Sequence, residues 1–255
     1  MKNQYNFKGE NNSTQILHVA DCREKLRGWA KESIFAKKMG SYNLIIADPP
    51  YRIKSAKNFG VHANRNYGND MEPPEYKDWI PYALELLKPN GSMFIFEHPN
   101  NYLNLTDYLR SSSPFRDNII VKPALIWFVS FRKSHPYKGE YNSHYEPICW
   151  VVRSEQPHYF DNKPLRGLGS HFGGDVMMAA AVMKTPVPGT KPMKIIKRLI
   201  EVHTKPGERV LDIFGGSLTV LKACQELGRD CVTIEINEET AKKAIKYRDM
   251  KGRNS

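Results

Sequence analysis

Short apolar runs alternate with helix-like segments along most of the chain, which is typical of an α/β protein. The apolar runs predict strands at 16–20, 42–47, 92–96, 119–121, 125–129, 147–152, 209–213 and 231–236. Helix-like spacing predicts helices at 24–38, 75–87, 193–202 and 218–227, and a further basic helix after residue 236. Because strands that alternate with helices form parallel sheets covered on both faces, we expect an α/β fold with a doubly wound, mostly parallel sheet.

Two segments interrupt this pattern. Residues 52–74 are rich in Asn, Gly and Lys without periodicity, so they predict a long loop, and loops of this length are usually functional. Residues 153–187 consist largely of Gly, Pro and polar residues and predict a small inserted appendage. The 255 residues suit a single domain, spanning 1–255, around one core.

The charge of the chain points to a partner. The 38 Lys and Arg residues outnumber the 27 Asp and Glu residues, so the formal net charge is +11 and the sequence pI is near 9.4. This excess favours a polyanionic partner such as nucleic acid. The four cysteines have neither zinc-site spacing nor a disulfide framework, and predict small buried residues in a reducing cytoplasm. No signal peptide or apolar run of transmembrane length is visible. We therefore expect a soluble, cytoplasmic protein that neither binds metal nor enters a membrane.

A glycine turn follows the strand at 209–213, and the next strand ends in Glu235, 19 residues after Gly216. Glycines let a ligand approach the backbone, and an acid at this spacing binds ribose hydroxyls, so the segment predicts a nucleoside cofactor. Asp212 precedes the turn, and Leu218 stands where a dinucleotide loop has its third glycine. An acid here suits the ammonium of S-adenosylmethionine and repels phosphate, which favours a methyl donor.

The tetrapeptide Asp48-Pro49-Pro50-Tyr51 ends the apolar strand at 42–47. Two successive prolines hold the backbone rigid and fix the direction of their carbonyls. An acid, a rigid carbonyl and an aromatic ring thus converge at the carboxyl end of a strand, where such sheets bind ligands. Asp48 and the Pro49 carbonyl can accept hydrogen bonds from both N–H groups of an exocyclic amine, while Tyr51 stacks on the ring. The tetrapeptide therefore predicts a pocket for a flat base that carries an amine.

This tetrapeptide resembles the catalytic motif of amino-group DNA methyltransferases, which methylate adenine N6 or cytosine N4. Further segments resemble the family in the same order along the chain, at 19–22, 87–96, 145–150 and 190–192. A catalytic motif that precedes the cofactor turn is similar to the permuted β-type group. The resemblance implies the S-adenosylmethionine-dependent methyltransferase fold and S-adenosylmethionine as cofactor. It implies catalytic roles for Asp48, Pro49, Pro50 and Tyr51, and cofactor contacts from Asp21, Lys191, Asp212, Phe214, Gly215, Gly216, Ser217, Thr219 and Glu235.

Methylation of a base in duplex DNA requires that the base be flipped out of the stack. The loop at 52–70 and the basic, aromatic segment at 131–138 are the candidates to contact the displaced nucleotide and the phosphates. Their candidate DNA-binding residues are Arg52, Lys54, Lys57, Arg65, Arg132, Lys133, His135 and Lys138. The appendage at 153–187 is the candidate target-recognition segment. Similar β-type enzymes often form homodimers, so we expect duplex DNA and a second copy of the chain as partners.

A tetrapeptide that begins with Asp resembles the adenine group of this family more often than the cytosine group, so the resemblance implies adenine N6 as the methylated atom, with cytosine N4 as the alternative. A second alternative is a non-catalytic DNA-binding module that has lost its cofactor, because Leu218 replaces a glycine of the family's Phe-x-Gly-Ser-Gly-Thr turn. Residues 187–190 also differ from the His-Pro-Thr-Gln run usual in the family. The intact tetrapeptide and Glu235 favour an active enzyme. We expect Leu218 to have a right-handed backbone and to point away from the cofactor, into the helix's apolar face.

Overall fold

The structure is a computed structural model and describes residues 4–35, 40–51, 73–130, 143–167, 174–183 and 185–252. Its strands are β1 (Gln4–Lys8), β2 (Thr14–Val19), β3 (Tyr42–Ala47), β4 (Leu87–Phe96), β5 (Ile119–Val121), β6 (Leu125–Val129), β7 (Tyr145–Arg153), β8 (Val176–Ala179), β9 (Arg209–Asp212) and β10 (Asp230–Glu235). Its α-helices are α1 (Cys22–Phe35), α2 (Tyr76–Leu86), α3 (Pro99–Asp107), α4 (Met193–His203), α5 (Thr219–Leu227) and α6 (Glu238–Gly252).

The strands form one mixed sheet in the order β1-β2-β10-β9-β3-β4-β7-β6-β8, with β5 beside β7. The central strands β2, β10, β9, β3 and β4 run parallel to one another. Beyond β4, strand β7 is antiparallel to both β4 and β6, and β8 is parallel to β6. The predicted mostly parallel α/β sheet is confirmed at its centre, and antiparallel pairs flank it on both sides, between β1 and β2 on one side and around β7 on the other.

Strand β3 lies in the middle of the sheet, between β9 and β4, and all six of its residues are buried. Leu44 is opposite Val210 of β9 on one side and Ser92 of β4 on the other. From β3 the chain continues through α2 to β4, whereas from β9 it continues through α5 to β10, in the opposite direction across the sheet. The boundary between β3 and β9 is therefore the switch point at which such folds bind ligands. This pairing places the tetrapeptide that follows β3 beside the glycine turn that follows β9.

Alternating residues of β3 face two separate cores. Leu44 and Ile46 pack with apolar residues of α4, α5 and α6 on one face of the sheet. Ile45 and Ala47 pack with α1, α2 and α3 on the other. The helices therefore cover both faces, as the doubly wound prediction requires. All four cysteines are buried and free.

The structure also contains elements that the sequence pattern did not predict. Strand β1 has exposed and half-buried residues in alternation and pairs with β2 at the sheet edge. Helix α3 was not predicted either, and β4 begins at Leu87, where the prediction placed the end of a helix. Strand β8 comes from the expected appendage at 153–187 and joins the main sheet beside β6. Among the described helices, none is long and apolar enough to cross a membrane.

Candidate functional site

A cavity of about 240 Å³ lies at the carboxyl ends of β3, β9 and β10, at the switch point of the sheet. It brings together three segments that are far apart in sequence, namely the tetrapeptide after β3, the segment before α4 and the glycine turn after β9. Most of the sequence-predicted site residues line it: Asp48, Pro49, Pro50, Tyr51, Lys191, Asp212, Phe214, Gly215, Gly216, Ser217, Thr219 and Glu235. The candidate catalytic and cofactor residues thus share one space.

Among the described residues, the tetrapeptide presents one carboxylate oxygen to other side chains, and the second oxygen has no donor there. The Tyr51 hydroxyl lies 3.1 Å from Asp48 Oδ1 and 3.1 Å from Glu146 Oε2. No described residue donates a hydrogen bond to Asp48 Oδ2 or to the Pro49 carbonyl. Asp48 retains 27% side-chain exposure. Two acceptors at the end of β3 are therefore available to a ligand.

Lys191 lies against the tetrapeptide. Its Nζ is 2.8 Å from Asp48 Oδ1 and 3.3 Å from Glu146 Oε2, and it donates to the Tyr51 hydroxyl at 3.2 Å. The resemblance implies a cofactor contact for this lysine, and in the structure Lys191 lines the cavity with its ammonium against the Asp48 carboxylate. The distances define a buried cluster of Asp48, Tyr51, Glu146 and Lys191, which we call the acid–lysine cluster.

Burial and mutual charge shift the protonation equilibria of this cluster. Burial raises the pKa of Asp48, and Lys191 opposes that rise. Burial by itself would lower the pKa of Lys191, but Asp48 and Glu146 raise it, so the amine is held as an ammonium. Burial and the neighbouring carboxylates raise the pKa of Tyr51 well above its ordinary value, so its hydroxyl stays protonated.

The glycine turn has the geometry of a backbone cradle. The Gly216 backbone N–H donates to Glu235 Oε2 at 2.7 Å, and Gly216 has a φ of +46°. A Cβ atom on Gly215 would lie 2.6 Å from the Thr233 side chain, so only glycine fits there. The Ser217 and Thr219 hydroxyls are 2.9 Å apart beside the turn. Gly215 therefore packs tightly against β10, whereas a Cβ on Gly216 would meet no heavy atom closer than 3.9 Å, so the open side of the turn, where a ligand can approach the backbone, is at Gly216.

Leu218 contradicts one expectation and fulfils another. Its backbone is left-handed, with φ 59° and ψ 29°, so the predicted right-handed conformation is wrong. The turn has the geometry that a glycine would adopt without strain, and leucine keeps it at the residue before α5. The Leu218 side chain is only 1% exposed and packs in the core, and Leu218 does not line the main cavity. Its side chain therefore packs in the apolar face of α5, as expected, and lies outside the main cavity.

Two acids close the cofactor end of the cavity. Glu235 accepts the Gly216 N–H on one oxygen and the Asn237 N–H, at 2.8 Å, on the other. Each carboxylate oxygen keeps a second lone pair for a hydroxyl donor. Asp212 is 2% exposed, and burial followed by repulsion from Glu235 raises its pKa well above the ordinary value. A cationic group in the cavity would relieve this repulsion.

Asp21 does not belong to the set that lines the cavity, although its neighbours Ala20 and Cys22 do. Its Oδ2 forms an ion pair with Arg23 at 2.6 Å, and its Oδ1 accepts the Arg23 backbone N–H at 2.8 Å. An acid that accepts an N–H of the first helical turn caps that helix. The structure thus places this side chain at the start of α1.

The candidate DNA-binding residues Arg52, Lys54, Lys57, Arg65, Arg132, Lys133, His135 and Lys138 lie outside the described residues. Within the described ranges, no three His, Cys, Asp or Glu side chains are placed to hold a metal ion.

Glu146 is a site residue that sequence reasoning missed. It lies near the start of β7, which is antiparallel to β4, so its position is at the same sheet edge as the carboxyl ends of β3 and β4. The signal was a glutamate directly before the apolar run 147–152. Interpreting it required the direction of β7, because only an antiparallel strand begins at the ligand-binding edge.

Comparison with known families matches the chain to a DNA methylase model over residues 42–168 and 178–246. Among curated relatives, the type II methyltransferase M.BamHI of Bacillus amyloliquefaciens is 24% identical over 91% of this chain. The chain spans 57% of the length of that relative. The DNA adenine methyltransferase YhdJ of Escherichia coli (strain K12) is 26% identical over 94% of this chain and 84% of its own length.

Two solved structures show the same fold. A crystal structure of an M1.HpyAVI–SAM complex has a TM-score of 0.66 at 24% identity, covering 91% of this chain and 98% of that one. PvuII DNA methyltransferase, described as cytosine-N4-specific, has a TM-score of 0.68 at 17% identity, covering 91% and 85%. At these identities the likeness concerns the fold alone.

Proposed function

The chain belongs to the DNA methylase family whose model covers most of it, and from this membership we propose that it methylates the N6 amino group of adenine in duplex DNA. Its cofactor is S-adenosylmethionine. One observation carries the proposal: the two free acceptors of the tetrapeptide and the glycine turn open on the same cavity.

The residues of the cavity fit this cofactor. The open space beside Gly216 admits a ligand to the turn, and Glu235 can accept hydrogen bonds from ribose hydroxyls. Asp212, a buried acid in need of a positive partner, suits the ammonium of the methionine portion. Bound there, the cofactor supplies an electrophilic methyl group on a sulfonium.

The tetrapeptide would activate the target amine. Asp48 Oδ2 and the Pro49 carbonyl accept hydrogen bonds from its two N–H groups, which favours a pyramidal nitrogen with a localised lone pair. Glu235 and Asp212 would hold the cofactor, which would supply the methyl group to this nitrogen and keep the bonding electrons as a neutral thioether. The methylated amine then gives up one proton to Asp48 Oδ2, and from there to water. This role requires that Asp48 be ionised before the transfer.

Base flipping is part of the proposal, because Asp48 lines a cavity at the carboxyl end of β3, which a base stacked in the duplex cannot enter. The segments 52–70 and 131–138 are the candidates to contact DNA, and 153–187 is the candidate recognition segment. A homodimer also stays a prediction from the resemblance, and sedimentation velocity at several concentrations tests it.

The test is incubation with labelled S-adenosylmethionine and duplex DNA, followed by nucleoside analysis. We expect N6-methyladenine, whereas N4-methylcytosine alone would refute the assigned base. Asp48→Ala should lower turnover on the order of 100-fold or more while cofactor binding persists. Asp117→Ala, at a side chain 84% exposed and remote from the cavity, is the matched control and should keep wild-type turnover.

A further inference from the structure

The acid–lysine cluster contains two charged residues to which the proposed mechanism assigns no role. Resting on the proposed function, we propose that Lys191 and Glu146 are positioning residues for methyl transfer. Lys191 binds Asp48 through Oδ1 and keeps it ionised, which leaves Oδ2 for the target amine, and Glu146 holds the Lys191 ammonium in place.

The hydrogen-bond pattern supports different roles for the two oxygens of Asp48, with Oδ1 bound to protein groups and Oδ2 left for the substrate amine. Lys191 Nζ and the Tyr51 hydroxyl both lie on Oδ1, at 2.8 and 3.1 Å. No described residue donates to Oδ2. Lys191 Nζ and the Tyr51 hydroxyl, whose single proton Glu146 Oε2 shares, restrain Oδ1, so the Asp48 carboxylate keeps one orientation beside the cavity that it lines. Fixed direction is what an acceptor needs if it is to align a nucleophile.

The position of Lys191 is unfavourable for a merely structural lysine. It directly precedes Pro192, the N-cap of α4, where the helix dipole repels a cation. Its side chain is only 10% exposed, and a buried ammonium is costly unless it is paired. Two carboxylates and three aromatic rings meet that need. The rings lie 5.3 to 5.8 Å from Nζ and belong to Tyr51, Phe96 and Trp127.

Glu146 completes the charge balance of the cluster. Two carboxylates and one ammonium leave a single negative charge, which matches one proton to be accepted from the amine. Glu97 has its own donors, since it accepts from the Tyr76 hydroxyl at 2.7 Å and from the His98 backbone N–H at 2.8 Å. The titratable or charged described groups that face Asp48 and Tyr51 are Glu97, His98, Glu146, Lys191 and Asp212.

Opposite pH shifts follow from this arrangement. Lys191 lowers the pKa of Asp48, so Lys191→Met should move the acidic limb of the kcat–pH profile to higher pH, by about 1–3 units. Glu146 raises the pKa of Asp48, so Glu146→Gln should move the same limb to lower pH. Lys191→Arg keeps the charge and should leave the limb nearer to wild type than Lys191→Met does.

The experiment measures kcat across pH for these variants, together with a carbon-13 NMR titration of the Asp48 carboxyl in the full chain. Lys197→Met is the matched control, because Lys197 lies in α4 and pairs with Glu226 at the surface. Its profile should match wild type. Opposite shifts in the two cluster variants support the proposal. Shifts in the same direction, or equal loss at every pH, overturn it.

Failure of the proposed function has a different signature. If the wild-type protein transfers no methyl group to DNA, that function fails, while the NMR titration of Asp48 still decides the charge relationship within the cluster. Should Lys191→Met fail to fold, as judged by its thermal melt, the Glu146→Gln and Lys191→Arg titrations carry the test. An unchanged Asp48 titration in Glu146→Gln then overturns the proposal.

Discussion

We expect Leu218→Gly to be more stable than Leu218→Ala, the reverse of the order at ordinary helix positions. Both variants remove a side chain that is 1% exposed within the core, and such truncations cost about 2–5 kcal/mol. They differ in the backbone. Alanine must keep the left-handed conformation of φ 59°, whereas glycine adopts it without strain.

The size of the difference follows from two opposing terms. Left-handed backbone costs an L-residue roughly 1–2 kcal/mol, which glycine avoids. Glycine in turn loses about 0.5–1 kcal/mol more conformational freedom on folding. The net expectation is a glycine variant more stable than the alanine variant by about 1 kcal/mol. For a domain of this size that corresponds to about 2–4 °C in melting temperature.

Urea denaturation of both variants measures the difference directly. The control pair is Leu221→Gly and Leu221→Ala, at a residue that is 0% exposed in the interior of α5. There alanine should be the more stable variant by about 1 kcal/mol. The two pairs should therefore differ in sign. An alanine variant at 218 that equals or exceeds the glycine variant would refute the strain argument.

Three further results are expected. Calorimetry should show that Leu218→Gly binds S-adenosylmethionine within a few-fold of wild type, since this side chain lies in the core; recovery of binding only in the variant would instead support a lost cofactor site. Glu235→Ala should weaken cofactor binding about tenfold or more, because hydrogen bonds to a charged group are lost, and unchanged affinity would contradict the ribose role. DNA affinity, measured by fluorescence anisotropy, should fall linearly in log K against log salt concentration, whereas a flat response would remove the argument from the +11 charge.

The centre of the fold could be predicted because its strands are uninterrupted apolar runs. Strand β3 has the predicted bounds, 42–47, since a strand buried on both faces leaves no ambiguity of period. Strand β1 was missed because an edge strand with exposed residues looks like polar loop. The handedness of Leu218 was wrong because helical spacing describes side chains and carries no information about the backbone of a cap residue.

In the candidate site, too, local sequence predicted some features and missed others. Asp48 and the glycine turn could be recognised from local sequence, because each is a strand end followed by residues that restrict or free the backbone. Glu146 and the ion pair of Lys191 with Asp48 could not, because they depend on which strands and segments lie side by side. Local pattern thus identified the chemical groups, and only tertiary structure gave their pairing.

The pairing of β3 with β9 has a consequence for the chain during its synthesis. Leu44 leaves the ribosome 166 residues before its partner Val210, a delay on the order of 10–30 s at usual rates of elongation. Until then one edge of an apolar strand has no neighbour and is a site for wrong association. The nascent chain also carries the tetrapeptide long before the turn and Glu235 exist. The ligand cavity can therefore form only after Glu235 has been synthesised, 187 residues after Asp48.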